Sequence, residues 1–355
     1  MENLATWAST IFYFLLVFGV LVLVHELGHF ITAIRAGVRV EEFGFGYPPR
    51  ALTLFRRGDT AYTLNWLPLG GFVKMTGEDN PSDPRSLAAQ KPWVRVVILS
   101  AGAGMNLLLA VALFSVIALI GIPKAREVVT VQGVAANSPA EFVGIFAGDR
   151  ILRVDNTPIA NREDLLRLAY DRAGQTVAVE LKRGKDNLTV SLTPRVNPPK
   201  GEGPIGISLS FQKLPGEDTV NYPIWEAVPL GVRRTLDTAG QIFTGFGRMI
   251  QGTAPGQVGG PVEIARVTGL VAQSGLLRLM EFTALLSVNL AIINLFPFPA
   301  LDGGRLLFVL IEAARGGKRI APEKEGLVHF IGMAILLMLM IIITFNDVQR
   351  IIGGG

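Results

Sequence analysis

The sequence predicts a membrane α-helical protein with four transmembrane helices, a membrane-associated β-hairpin region and one extracytoplasmic α/β domain. Three observations carry that expectation. Half of the 355 residues are apolar, only 17% are charged, and the mean hydropathy is +0.42, well above that of an ordinary soluble domain. Four apolar stretches reach the roughly 20 residues that cross a bilayer core. Between the second and third, the pattern changes to short alternating runs separated by turn residues, as in strands of a water-soluble domain.

The composition also excludes classes of function. There are no cysteines, which rules out disulfides, thiol catalysis, iron–sulfur clusters and cysteine zinc sites. The net charge of +4 is spread along the chain, with no basic run able to track phosphates, so no nucleic-acid partner is expected. Of the three histidines, His25, His29 and His329, few are available for any metal site.

Taken in order, residues 1–36 hold the first span, apolar from 11 to 24 except for Tyr13. A signal peptide is the competing reading, but the residues before the span carry Glu2 and no Lys or Arg, and no small-residue cleavage site follows. Residues 37–93 contain runs at 51–55 and 60–66 that read as strands joined by Arg56-Arg57-Gly58-Asp59, followed by Leu67-Pro68-Leu69-Gly70-Gly71. This region is too apolar for an ordinary cytoplasmic loop. Residues 94–120 are the second span. Within 126–210, Val128-Val129-Thr130-Val131 reads as a strand, and Ser138-Pro139-Ala140-Glu141 as a capping box with proline at the first helical position. A strand at 151–154 follows the Gly148-Asp149 turn, Asn161 caps a helix that Gly174 ends, and runs at 177–181 and 188–192 alternate about a Gly184-Lys185-Asp186-Asn187 turn as a hairpin. Residues 220–280 form an amphipathic linker helix region, with Ile224, Val228, Val232, Leu236, Phe243, Phe246 and Ile250 at mostly helical spacing. That helix lies either on the membrane surface or on the protein itself. The third span, 281–313, is interrupted by Pro297, Pro299 and Gly303-Gly304, and 326–352 is the fourth.

Lys and Arg in the short loops set the orientation. The loop after the first span and the loop after the third are both basic, and with four spans they share one side, taken as cytoplasmic. Both termini and the long segment between the second and third spans are then extracytoplasmic.

His25-Glu26-Leu27-Gly28-His29 is an HExxH sequence inside an apolar span. On a helix, residues four apart share a face, so both imidazoles reach one zinc ion, and Glu26 is placed to take a proton from a water at the metal. Ionisable groups inside a membrane are costly and are functional by default. A catalytic zinc takes a third protein ligand. His329, Glu281, Glu312 and Asp302 are the candidates. By helical rise His25 lies about 25 Å into the bilayer from the outer side. Asp302 is about as deep along the third span, among residues that break the helix, a feature tolerated where backbone lines a cavity. Depth favours Asp302, whereas His329 begins the fourth span at the interface.

The His25–Phe30 motif, the Asn294–Arg305 run NLFPFPALDGGR, and the order of strand, short helix, strand, helix and hairpin between spans two and three resemble the bacterial site-2 proteases of the RseP type over nearly the whole chain. The resemblance makes the outer domain PDZ-like, with Pro204-Ile205-Gly206-Ile207-Ser208 at its peptide-binding loop. It implies an intramembrane zinc metalloprotease with His25, His29 and Asp302 as Zn2+ ligands and Glu26 as the base. It implies substrates that are single-span membrane proteins, of the anti-sigma-factor or remnant-signal-peptide type, trimmed beforehand by another protease. It also implies a place in the bacterial cytoplasmic membrane, and puts Asn294 near the active site, where it would contact the substrate. Gly70 and Gly71, in a membrane-associated β element of the family, would let a substrate backbone approach closely. Alternatively that hairpin only covers the active site, and the PDZ-like domain either takes peptides or only blocks access. Two departures show. One PDZ-like domain is present where the best-known member has two, and the family's AGPxxN reads Ala101-Gly102-Ala103-Gly104-Met105-Asn106. A non-enzymatic scaffold recruiting peptides through the PDZ-like domain and a metal transporter using the same three ligands are the competing classes; the HExxH argues against the first, and the absence of repeated halves against the second.

Overall fold

The computed structural model describes residues 4–78, 81–159, 162–199, 201–252 and 259–352. The chain divides into two compact units, Met1–Ile120 with Tyr222–Gly355, and Gly121–Asn221. It opens with α1 (Leu4–Arg35), β1 (Val40–Arg57), β2 (Thr60–Met75) and α2 (Pro92–Ile120). The second unit follows with β3 (Ile122–Val134), α3 (Pro139–Phe142), β4 (Arg150–Val154), β5 (Thr157–Pro158), α4 (Arg162–Asp171), β6 (Val177–Arg183), β7 (Asp186–Leu192) and β8 (Ile207–Val220). The chain then returns to the first unit as α5 (Ile224–Ile250), α6 (Pro261–Gln273), α7 (Leu276–Leu295), α8 (Asp302–Ala314) and α9 (Pro322–Ile352).

Among the described residues, four helical segments are long and apolar enough to cross a membrane: Thr6–Arg35, Pro92–Ile120, Leu276–Leu295 and Pro322–Arg350. α1 stops where Gly37 takes φ +78, with the Val38 N–H bonded to the Ala33 carbonyl and the Gly37 N–H to Ile34, the glycine-terminated helix end expected of such a residue. α1 and α2 cross closely. A Cβ added at Gly28 would lie 2.8 Å from the Ala101 carbonyl carbon and from Met105 Cγ, so glycine sets the distance between these two helices. The third apolar stretch is two helices. α7 ends at Leu295, residues 296–301 form an irregular turn, and α8 begins at Asp302, as the two prolines dictate. The start of α2 and the end of α8 are tied by buried charges. Arg95 Nη1 lies 2.5 Å from Glu312 Oε2, and Arg319 Nε donates to Glu312 Oε1 at 3.1 Å. On α5, Ala227 and Thr235 are buried, while Trp225, Leu236 and Phe243 are exposed at 73%, 66% and 60%, an apolar outer face suited to lipid.

The β region is longer than the two runs visible in the sequence. The first half of β1 pairs on one side with the end of β2 (Phe43↔Val73, Phe45↔Gly71) and on the other with its start (Phe43↔Tyr62, Phe45↔Leu64), and the second half of β1 pairs with that same start (Phe55↔Tyr62). The result is a sheet of four segments whose two outer pairings are antiparallel and whose central pairing, the start of β1 with the start of β2, runs in parallel register, with Gly71–Met75 at one edge among the described residues. Gly44, Gly46, Pro48 and Pro49 conceal the first segment in the sequence, because they interrupt the alternation that marks a strand.

The second unit is an antiparallel sheet in the order β7-β6-β4-β3-β8, with β5 on β4. Val129, Val131, Ile151, Val179 and Leu181 are buried in one core with Leu165 and Ala169 of α4. The expected hairpin has the register Val177↔Leu192 and Leu181↔Leu188. Ser138 caps α3 by accepting from the Glu141 N–H at 3.2 Å, although the helix runs only four residues. The expected cap Asn161 lies outside the described residues. β8 has no counterpart among the elements expected from the sequence. It extends from the segment expected to be the peptide loop, residues 204–208, and pairs with β3 from Ile122↔Val220 to Val134↔Ile207. Inside that loop the backbone is engaged within the domain, with Ala140 N–H bonded to the Ile205 carbonyl, Ala135 N–H to that of Gly206, and Gly206 N–H to Gly203.

Candidate metal centre

His25 and His29 stand one turn apart on α1 and are 6% and 4% exposed. Asp302, 273 residues beyond His29, is the first residue of α8, in the helix turn where a negative side chain is favoured. The irregular turn at 296–301 delivers it. Gly303 and Gly304 lie against the Leu295, Phe296 and Phe298 carbonyls, a space that any Cβ would fill. Asp302 Oδ2 lies 2.9 Å from His25 Nε2 and 3.2 Å from His29 Nε2, and the two Nε2 atoms are 3.2 Å apart. Tetrahedral zinc with bonds near 2.0–2.1 Å holds its ligand atoms about 3.3 Å from one another. The three atoms have that spacing, and the donor set of two imidazoles and a carboxylate suits zinc. His29 Nδ1 lies 2.8 Å from the Ile98 carbonyl oxygen, which only accepts, so Nδ1 carries a proton and Nε2 is the atom left to serve a metal. Gly102 of α2 faces both rings, and a Cβ there would come within 2.6 Å of His25 Nε2.

Glu26 lines a cavity of about 330 Å³ together with His29, Asp302, Tyr47, Phe72 and Glu78. The hairpin reaches this cavity because Gly70 and Gly71 lie against α1. Gly70 has φ +88 and faces Val22, and a Cβ at Gly71 would be 3.0 Å from Cβ and Cγ of Glu26. The close approach these glycines allow is thus to the helix that carries Glu26. It leaves the edge segment, with Phe72, Val73 and Met75, along the cavity wall. An ion pair between Glu78 and Arg305 crosses the same cavity, joining the end of the hairpin to α8.

The other ligand candidates sit elsewhere. His329 Nδ1 accepts the Ala300 N–H at 3.1 Å and so braces a residue held at φ +81 just before Asp302. Glu312 belongs to the buried pair with Arg95, and Glu281 lies beside Arg234 and Arg278. Asn294 is half-buried in the last turn of α7 and is not among the residues lining the cavity. Sequence reasoning passed over Tyr47 and the Glu78–Arg305 pair, which no short-range pattern marks, and gave Asn106 no chemical role. The spacing of Ile98, Gly102 and Asn106, four residues apart on one face of α2, was the available signal.

The model of peptidase family M50 matches residues 13–339. A protein of Clostridium acetobutylicum named among zinc metalloproteases is 37% identical over 94% of this chain and 96% of its own length. The zinc metalloprotease RasP of Oceanobacillus iheyensis is 31% identical over 97% and 99%. The regulator of sigma-W protease RasP of Bacillus subtilis is 30% identical over 97% and 99%. A solved PDZ domain of an SdrC-like protein from Listeria monocytogenes is 28% identical, covering 23% of this chain and 85% of that domain with a TM-score of 0.21.

Proposed function

We propose, from the premise that the chain belongs to peptidase family M50, that it cuts the membrane-spanning segments of single-span proteins at a site built from α1 and α8. It is a multi-pass membrane protein and a zinc metalloprotease of the site-2 kind. The observation that carries the assignment of residues is the cluster of His25 Nε2, His29 Nε2 and Asp302 Oδ2 at zinc-ligand spacing, with Glu26 in the adjoining cavity. Zinc held there supplies a Lewis acid that polarises the scissile carbonyl and makes a water more acidic. Glu26 takes the proton of the attacking water and returns it to the leaving amine. His25, His29 and Asp302 would hold the ion, the two histidines being buried on α1.

A membrane helix hides its carbonyls in its own hydrogen bonds, so the substrate must be extended before it is cut. The edge segment Gly71–Met75 supports a role for the hairpin in holding the unwound chain by strand addition, with Gly70 and Gly71 keeping that edge next to Glu26. Asn294 hydrogen-bonds the substrate backbone beyond the cavity. The substrates are of the anti-sigma-factor or remnant-signal-peptide type, already trimmed outside the membrane; the name of the Bacillus subtilis relative supports a regulatory role. Lys and Arg in the loops support a place in the bacterial cytoplasmic membrane with both termini outside. The test is cleavage of a single-span model substrate by the purified chain. Glu26→Gln is expected to keep zinc and lose turnover, since an amide cannot accept the proton. Turnover near that of the unaltered chain would assign the base elsewhere.

A further inference from the structure

We infer that Asn106 is a positioning residue for the metal site: its side-chain oxygen accepts the Nδ1–H of His25 and so fixes the ring with Nε2 turned to the ion. The inference rests on the zinc reading of His25, His29 and Asp302. Asn106 is fully buried on α2, and its side-chain amide nitrogen lies 3.3 Å from His25 Nδ1, while its Oδ1 is buried without a partner among the described residues. Its backbone carbonyl takes the Ser287 hydroxyl at 2.7 Å, which anchors this turn of α2 to α7.

A neutral imidazole that binds a metal through Nε2 carries its proton on Nδ1. An amide with its nitrogen toward that proton sets two donors against each other and leaves its only acceptor idle. Oxygen and nitrogen of an amide are assigned from the hydrogen-bond network rather than by shape. Turning the amide over resolves the conflict, because Oδ1 then accepts from Nδ1–H, and the NH2 moves to the spot the oxygen held. The orientation is the one in which His25 is served as His29 already is. α1 and α2 run in opposite directions, so the Ile98 carbonyl meets His29 and Asn106, eight residues on, meets His25, with Gly102 between them giving the rings room. One face of α2 thereby sets the tautomer of both histidines. Such outer partners raise ligand basicity and hold ring orientation, and their loss costs about 10–100-fold in metal affinity or rate.

The two orientations of the amide make opposite demands on a carboxylate. Asn106→Asp can accept but not donate. If Asn106 accepts from His25, the aspartate keeps the bond and zinc is held at least as tightly as in the unaltered chain. If Asn106 donates, the aspartate loses the bond. Asn106→Leu has nearly the same volume and no acceptor, and is expected to lose about 10–100-fold in zinc affinity. The measurement is competition between the full chain in detergent and a chromogenic chelator, with the cobalt-substituted absorption spectrum as a second readout of ligand geometry. Tight binding by Asn106→Asp with weakening in Asn106→Leu supports the inference, and the aspartate result alone decides should the leucine variant fail to fold. Weak binding by Asn106→Asp, or unchanged affinity in Asn106→Leu, overturns it while leaving the metal reading intact. An unaltered chain that takes up no zinc would instead overturn the metal reading itself.

Discussion

At the scale of single residues, the site separates holding a metal from moving a proton and from holding a substrate. As proposed, Glu26 belongs to the second task and Asn294 to the third. Asn294→Ala is therefore expected to weaken cleavage several-fold, in the range of one lost hydrogen bond of about 1 kcal/mol, with zinc content unchanged. Loss of zinc in that variant, measured by metal analysis, would make its role structural. The candidate ligands and base stand out in the sequence because HExxH places two imidazoles and a carboxylate within about one helical turn, and because an aspartate among helix breakers deep in an apolar span is costly unless used. The partners of those residues were less legible. The part Asn106 plays depends on which face of α2 meets α1, a fact of tertiary packing, and the bracing of Ala300 by His329 joins residues 29 apart.

At the scale of elements, two attachments position the site. The first is the buried pair of Arg95 and Glu312, each side chain 8% exposed, which ties α8 to α2. Glu312→Ala leaves Arg95 buried without its carboxylate and is expected to cost about 3–5 kcal/mol of stability, read as a lowered thermal midpoint in detergent. A change below about 1 kcal/mol would mean that the pair is open to water. The second is the seating of the hairpin on α1. Gly70→Ala strains a backbone at φ +88 and drives a methyl into Val22, so it should displace the edge segment and lower cleavage while zinc stays bound. The helices were readable from length and hydropathy, and the 177–192 hairpin from its alternation. β8 was not, because Lys213, Pro215, Gly216, Glu217 and Asp218 interrupt any alternating pattern, and its pairing with β3 is set by a partner some 80 residues away. In that domain Asp149 is 1% exposed and bonded to the Arg183 guanidinium at 2.7 and 2.8 Å, which holds its carboxyl below the ordinary range. A carboxyl lowered in the folded state stabilises above its unfolded value, near 3.9, and loses that contribution as pH falls through the folded value. Protection of the amides along β4 and β6, relative to the intrinsic exchange rate at each pH, should therefore fall below about pH 4, and Asp149→Asn should flatten that dependence.

At the scale of the whole chain, the α/β unit is inserted between the second and third spans with its two ends paired at Ile122↔Val220, so it can be replaced by a short linker. In residues 204–208, the segment expected to take a peptide, backbone groups are already engaged within the domain, and the prediction drawn from this is a filter against bulky substrates and not a receptor for their tails. Removing residues 121–221 should then permit cleavage of untrimmed substrates, and continued rejection of them would favour recognition by the domain. The order of spans and domain was legible because each segment carries its own composition. The meeting of residues 25, 29 and 302 is expected from depth and from the family resemblance, and the fold supplies it through the broken third span. The central claim is that these three distant positions form one zinc site, and metal analysis of the full chain tests it most directly. The account predicts about one zinc per unaltered chain, and loss of it in each of His25→Ala, His29→Ala and Asp302→Ala, because two ligands rarely hold a catalytic metal. Full zinc occupancy in Asp302→Ala would contradict it.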